Sequence, residues 1–296
     1  MYKCAIFAAM PKKTLQKKTK KKIHQKRKRH FLLRRQVLLL VLALALFGTG
    51  LYLKQTIAFY YAMYFNKFEH KKLSNSEAEE KRINRIIADY SDKTFGLDMS
   101  HYQRAEDIEW DSLSIANGAI PIEFVFLRAT MGNRSTDKNF DQFWELAKKH
   151  NLIRGAYHFY RADEDPVMQA NNFLDNVKLE EGDLPPVLDI EKIPRRKSTK
   201  KLLEDLKIWC KIVEGKYGKK PIIYTYYHYH KDFLNGEFED YPLWLANYND
   251  VPQPTPLNNW DIWQFSENGI VHGINTKVDL NVYNGSLWSL KMMTLD

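Results

Sequence analysis

In this 296-residue chain, four carboxylates set beside apolar stretches are the residues best suited to chemistry. Asp189 and Glu191 stand two apart, directly after Leu184-Pro185-Pro186-Val187-Leu188. On an extended strand that spacing puts both side chains on one face, with Cα atoms about 6–7 Å apart. Asp98 ends the run Phe95-Gly96-Leu97-Asp98, and Asp279 lies in Val278-Asp279-Leu280-Asn281-Val282. A charge beside a core is costly unless it is paired or solvated, so acids in such places point to a use. The structural alternative makes them loop residues, or ion-pair partners of Arg128 and Arg154. A hard-cation site built from Asp98, Asp189, Glu191 and His158 is a second alternative. There is no HExxH motif, His228-Tyr229-His230 reads as surface or core filling, and no metal is expected.

Aromatic residues gather near the same places: Tyr157, Tyr160, Tyr224, Tyr226, Trp244, Tyr248 and Trp263. They suit either a core or the walls of a sugar cleft, where flat apolar faces and phenolic hydroxyls both find use. Carboxylates and aromatics together, with no cofactor motif, suggest glycoside hydrolysis. That reaction needs a proton donor and a group to stabilise an oxocarbenium-like transition state.

Positioning these residues requires an alternation of strands and helices from Phe95 onward. Strand-like runs are Phe95–Asp98, Ile122–Arg128, Gly155–Tyr160, Pro186–Glu191 and Pro221–Tyr226, followed by Leu243–Ala246, Asp261–Phe265 and Val278–Val282. A weak helix is expected over Asp107–Ala116. Clearer ones are capped by Thr136, opened by Pro166, and run from Ser198 to Tyr217 before Gly218. The last three runs are joined by Pro-, Asn- and Gly-rich loops. Eight strands with helices after the early ones predict an α/β barrel whose last third has lost its outer helices. Barrel sites collect at the C-terminal strand ends, and closing strand eight on strand one would bring Asp279 beside Asp98. A doubly wound sheet would want a Gly-rich phosphate loop; none is present, nor any GxxxxGK[ST], so no nucleotide cofactor is expected.

The formal charge of +9 is misleading about the folded part. Residues 1–36 hold 14 Lys or Arg and no acid, leaving 31 basic against 36 acidic side chains in the other 260. Nucleic-acid binding is not expected, because the basic residues form a tail rather than a folded face. The tail is followed by Val37–Leu53, 17 residues without a charge. At a ~1.5 Å rise these reach about 25 Å, the short end of a bilayer span, and the aromatic run Ile57–Phe65 would extend it to 65. With all the positive charge on one side, the N-terminus stays in the cytoplasm and the rest is exported, as a single-pass protein anchored in the lipid bilayer. A cleaved signal peptide competes less well, since Ala43-Leu44-Ala45 lies inside the apolar run rather than after it. The expected organisation is a basic cytoplasmic tail (1–36), a transmembrane signal-anchor (37–53), a stalk (54–93) holding a helix with the stripe Ile83, Ile86 and Ile87, and a barrel domain (94–296). Cys4 and Cys210 fall on opposite sides of the anchor, so no disulfide is expected, and Cys210 reads as a buried apolar thiol.

The sequence resembles the family 25 glycoside hydrolases, the muramidases of the Chalaropsis lysozyme type. The resemblance rests on Gly96-Leu97-Asp98-Met99-Ser100, Phe124 to Thr130 with Gly132, Gly155 to Tyr160, Gln169-Ala170-Asn171-Asn172-Phe173 and Leu184 to Glu191. It continues through Leu243-Trp244-Leu245-Ala246-Asn247-Tyr248, Trp263-Gln264-Phe265-Ser266 and Val278 to Asn281. Eight short strings in the family's order over residues 95–283 are specific where each alone is weak. The resemblance implies an irregular TIM-like barrel, (β/α)5(β)3, here preceded by one transmembrane helix. It also implies cleavage, with retention, of the β-1,4 bond between N-acetylmuramic acid and N-acetylglucosamine in peptidoglycan. Carried onto this chain, Glu191 is the general acid/base, and Asp98, Asp189 and Asp279 complete the acidic cluster. The expected sugar-binding set is Tyr157, Tyr160, Tyr224, Trp244, Asn247, Tyr248, Trp263 and Gln264. No cofactor is implied, and a monomer is expected. A non-catalytic wall-binding module and a hydrolase of another N-acetylated glycan are the alternatives.

Overall fold

Alternation along the second strand shows how the barrel is filled: Phe124 and Phe126 pack inside it, while Val125 and Leu127 pack outward against the helices. The computed structural model describes residues 34–45, 47–49, 76–234, 236–248 and 260–296. It divides into two units, Met1–Lys72 and Leu73–Asp296.

In the first unit, residues 34–45 and 47–49 are helical, and Val37 through Leu42, Leu44 and Phe47 expose their side chains. Among the described residues no helix is long and apolar enough to cross a membrane. The remainder of the expected anchor and its extension to 65, most of the basic tail and the first part of the stalk lie outside the described residues.

In the second unit, eight strands close into a barrel. They are β1 (Thr94–Met99), β2 (Phe124–Met131), β3 (Ile153–Phe159), β4 (Val187–Asp189), β5 (Ile222–Tyr226), β6 (Leu243–Ala246), β7 (Ile262–Gly269) and β8 (Val278–Tyr283). Neighbours from β1 through β7 run parallel, whereas β7–β8 and β8–β1 are antiparallel. The expected closure of the last strand on the first is present, with Asp98 directly opposite Asp279.

Helix α1 (Ser76–Asp89) precedes β1, and α2 (Phe140–Lys149), α3 (Pro166–Asn176) and α4 (Thr199–Tyr217) follow β2, β3 and β4. Asp165 caps α3 by accepting from the Met168 amide, and Ser198 caps α4 by accepting from that of Lys201. Gly218, at φ +71°, ends α4 in the left-handed conformation that glycine adopts without strain. A short helix α5 (Leu287–Met293) sends Leu290 into the inner core.

Three sequence expectations are corrected. The weak helix over Asp107–Ala116 is replaced by two 3-10 turns and a small hairpin, Ser114–Ile115 with Ile120–Pro121. This stretch is captured by bridges from Ile108 to Ile274 and from Ser114 to His272, which spend its backbone groups on a distant loop. After β5 comes a short helical stretch, residues 227–234, in keeping with a barrel whose later strands lack long outer helices. The helix after β2 begins at Phe140, because Thr136 is held in a two-residue strand against β2. The third concerns α1, expected within a stalk, which packs on the barrel instead. Ile83, Ile86 and Ile87 are buried in the outer core, and the Arg82 guanidinium donates to the Phe265 carbonyl at 2.8 Å. Three isoleucines on one stripe gain more from that burial than from water.

Candidate active site

Two glycines prepare the floor of the site. A Cβ on Gly96 would fall 2.4 Å from the Phe124 ring, and one on Gly155 2.4 Å from the Phe126 ring, so each glycine leaves the space that a phenyl group fills. Trp244 stacks on Phe126 at 4.3 Å, completing an apolar plug across the barrel. Above it the inward positions turn polar, and an open cleft of about 180 Å³ lies over the plug.

All four expected carboxylates line this cleft, together with Tyr157, Tyr224, Trp244, Tyr248 and Gln264. Tyr160, Asn247 and Trp263 do not. Tyr160 is fully buried among the helices, and Trp263 packs outside the barrel on Tyr90 and Phe265 and donates its indole N–H to the Asn247 carbonyl. Ser100, Tyr102, Arg128, Phe159, Tyr226 and Glu267 also line the cleft but were outside the expected set. Strand parity would have found most of them: 98 and 100, 124 to 128, 157 and 159, and 222 to 226 each step by two along one face. The same parity assigns 160, 247 and 263 to the opposite face.

His158 faces away from the acids. It is buried between Thr130 Oγ1 at 2.7 Å and Gln169 Oε1 at 3.2 Å, stacks on Trp209, and has its pKa pushed down to about 4 by burial. The hard-cation alternative thereby loses its histidine. Among the described residues no group of three or more His, Cys, Asp or Glu is placed to hold a metal ion. Arg154 and Asp183 form a buried pair at 2.7 Å away from the cleft; Arg128 pairs with Asp137 at 2.9 Å at its edge.

The floor is wired by hydrogen bonds. Gln264 Nε2 and Asn281 Nδ2 each donate to Asp98 Oδ2 at 2.7 Å. The Tyr224 hydroxyl donates to Gln264 Oε1 at 2.7 Å, the Tyr248 hydroxyl donates to the same oxygen, and the Trp244 indole donates to Asn281 Oδ1 at 2.8 Å. Asp98 also shares a hydrogen bond with Asp279, whose pKa is raised well above the carboxylate range by burial and then by the Asp98 charge. The proton of this pair therefore sits on Asp279. Asp98 itself is raised by burial, against which its three hydrogen bonds act.

The second pair is less well satisfied. Asp189 is buried at the end of β4, and among the described residues its Oδ1 has no hydrogen-bond partner. Burial raises its pKa well above the usual value, followed by Glu191 and Asp98. Glu191 is half-buried, and burial pushes its pKa from 4.5 up to about 7. Asp98 and Glu267 add to that rise; Lys192 and Arg128 oppose it. Asp189 and Glu191 thus hold a proton between them into neutral pH, which suits a general acid.

The chain matches the profile of Glycosyl hydrolases family 25 over residues 97–274. It is 34% identical over 260 residues to the protein YegX of Escherichia coli strain K12, covering 87% of this chain and 94% of that protein. It is 30% identical over 205 residues to Lysozyme M1 of Streptomyces globisporus, covering 64% and 68%. Among solved structures it resembles a family 25 glycosyl hydrolase from Bacillus anthracis, with a TM-score of 0.62 and 27% identity, covering 69% of this chain and 95% of that one.

Proposed function

The chain belongs to glycosyl hydrolases family 25 and is a glycoside hydrolase of the lysozyme type with peptidoglycan as its substrate, and from that premise we propose a retaining cleavage of the β-1,4 bond between N-acetylmuramic acid and N-acetylglucosamine in which Glu191 is the general acid/base. The observation that carries the assignment is the Asp189–Glu191 pair, set at the end of β4 in an acidic, aromatic-walled cleft and holding a proton into neutral pH. Glu191 is the more open of the two, so it can reach the bridging oxygen and protonate it as the glycosidic bond breaks.

The partner on the other side of the sugar is the substrate's own 2-acetamido group, oriented by Asp189. Supporting this, Asp189 has an oxygen with no protein partner among the described residues, placed to accept the acetamido N–H, whereas Asp98 already takes hydrogen bonds from Gln264 and Asn281. Asp98 then positions, through the wired floor, and Tyr224 and Tyr248 present ring faces and hydroxyls to the glycan. Water attacks the resulting ring intermediate from the side that the aglycone leaves, with Glu191 now taking a proton, so configuration is retained.

Zymography against purified peptidoglycan tests the assignment. The wild-type chain should clear the gel and Glu191→Gln should not, while both give the same circular dichroism spectrum. Clearing by Glu191→Gln at the wild-type rate would remove Glu191 from the role.

We also propose that residues 37–53 anchor the chain with its N-terminus in the cytoplasm and the barrel outside it. Support comes from the uncharged run, the exposed apolar helix within it and the one-sided basic tail. Recovery of full-length protein in the membrane pellet after alkaline carbonate washing is expected; a shortened, soluble product would overturn the proposal.

A further inference from the structure

The cleft is strongly acidic, whereas peptidoglycan is itself anionic. Asp98, Asp189, Glu191, Glu267 and Asp279 all line the cleft, and Arg128, the one lining cation among the described residues, is held by Asp137. A substrate carboxylate entering here is repelled from the floor and must be received elsewhere. The loop leaving β4 offers the opposite sign: Lys192-Ile193-Pro194-Arg195-Arg196-Lys197 follows Glu191 directly. Lys192, Arg195 and Arg196 are exposed.

The loop's backbone is pinned at several points. The Tyr229 hydroxyl donates to the Lys192 carbonyl at 3.1 Å. The Asp163 carboxylate accepts from the amides of Arg195 and Arg196 at 3.0 and 2.8 Å. Lys197 Nζ donates to the Glu164 carbonyl at 2.6 Å and to Asp205 at 2.7 Å. The Lys192 ammonium lies 5.2 Å above the ring centroid of Phe159, a cleft wall, so its stem is laid along an aromatic face and its charge is held at the cleft's edge.

We propose that Lys192, held at the cleft edge by Phe159 and backed by the basic loop, is a specificity-determining residue for strands from which an amidase has removed the peptides, and that it takes the free 3-O-lactyl carboxylate which that removal leaves on the muramic residue. The inference rests on the muramidase reading above and adds a direction to it. Attraction at the β4 loop and repulsion from the floor together orient the glycan, turning the lactyl side of the muramic ring toward Lys192.

The test uses the full chain in detergent and glycan strands stripped of their peptides by an amidase, so that each muramic residue bears a free lactyl carboxylate. The same strands with those carboxylates converted to methylamides serve as the neutral comparison. Wild type should show a KM on the anionic strands lower by roughly two- to fivefold, the scale of an exposed ion pair. Lys192→Met, which keeps the stem on Phe159, should lose that preference while still cleaving both polymers. Lys192→Arg should keep it, and added salt should erase it in wild type. Retention of the preference in Lys192→Met, absence of any preference in wild type, or a preference confined to peptide-bearing strands would each overturn the proposal. Cleavage of neither polymer by wild type would instead sink the muramidase reading beneath it.

Discussion

Replacing Glu191 by glutamine should make the barrel more stable as well as inactive, and the gain should depend on pH. A glutamate ordinarily titrates near 4.5, and burial in the cleft raises Glu191 to about 7. Between these values the folded chain holds a proton that the unfolded chain releases, so stability falls as pH climbs through the window and the full cost is present above pH 7. The rise from 4.5 to about 7 corresponds to about 3 kcal/mol. Glutamine has no charge to bury, so the variant escapes this cost. The two proteins should unfold at the same temperature at pH 4 and diverge by about 3 kcal/mol at pH 8, or roughly 6–12 °C for a domain of this size. Thermal melts followed by near-ultraviolet circular dichroism at pH 4, 6 and 8 measure the difference directly. A Glu191→Gln variant whose advantage is absent at pH 8, or equally large at pH 4, would refute the reasoning that Glu191 is a half-buried acid held protonated by its surroundings.

The same titration should appear in the kinetics. The kcat/KM of wild type should fall about tenfold per pH unit above roughly pH 7. Glu267→Gln, which removes an anion that raises Glu191, should move that limb to lower pH, and Lys192→Met, which removes a cation that lowers it, should move it higher. pH–rate profiles in which neither variant shifts the limb would contradict this account. Gly155→Ala should destabilise the barrel by about 1–3 kcal/mol in denaturant melts, because the new Cβ would meet the Phe126 ring at 2.4 Å; an unchanged midpoint would show that the ring yields freely. Arg154→Leu should cost about 3–5 kcal/mol in the same measurement, since it strands the buried Asp183 carboxylate. Loss of less than 1 kcal/mol would show that water reaches Asp183.

The reach of the sequence follows from which signals are local. Acids at strand ends and apolar runs before them are local, and Asp98, Asp189, Glu191 and Asp279 were found together. Their meeting was also legible, because a barrel that closes must bring its last strand to its first. The errors in the sugar-binding set share one cause: Tyr160, Asn247 and Trp263 are single-residue neighbours of cleft-lining positions, and one step along a strand turns a side chain to the other face. Glu267 escapes even a strict count by twos. The pairing of β7 with β8 shifts register between Gln264 and Ser266 and again between Ser266 and Gly269, and those irregularities bring residue 267 to the cleft. The replaced helix after β1 was invisible for a different reason, since the bridges that displace it come from residues 272 and 274, more than 150 positions away.

The four acids divide into two pairs that the protein treats differently, and the division is what makes a proton donor possible. Asp98 and Asp279 face each other across an antiparallel register, share one proton and are tied by Gln264 and Asn281 into a network that ends on Trp244, Tyr224 and Tyr248. That pair is satisfied, and its hydrogen bonds oppose the rise that burial causes at Asp98. Asp189 is buried with an oxygen that has no partner among the described residues, Glu191 is half-buried beside it, and the charge of Asp98 raises both. A carboxylate network that gave Asp189 and Glu191 the same number of hydrogen bonds as Asp98 would stabilise the fold and draw their pKa values down, leaving no acid to protonate a leaving oxygen at neutral pH. The missing partner on Asp189 and the instability that Glu191 imposes on the barrel are therefore two consequences of one arrangement, in which the floor is built to hold a charge so that the β4 end can hold a proton.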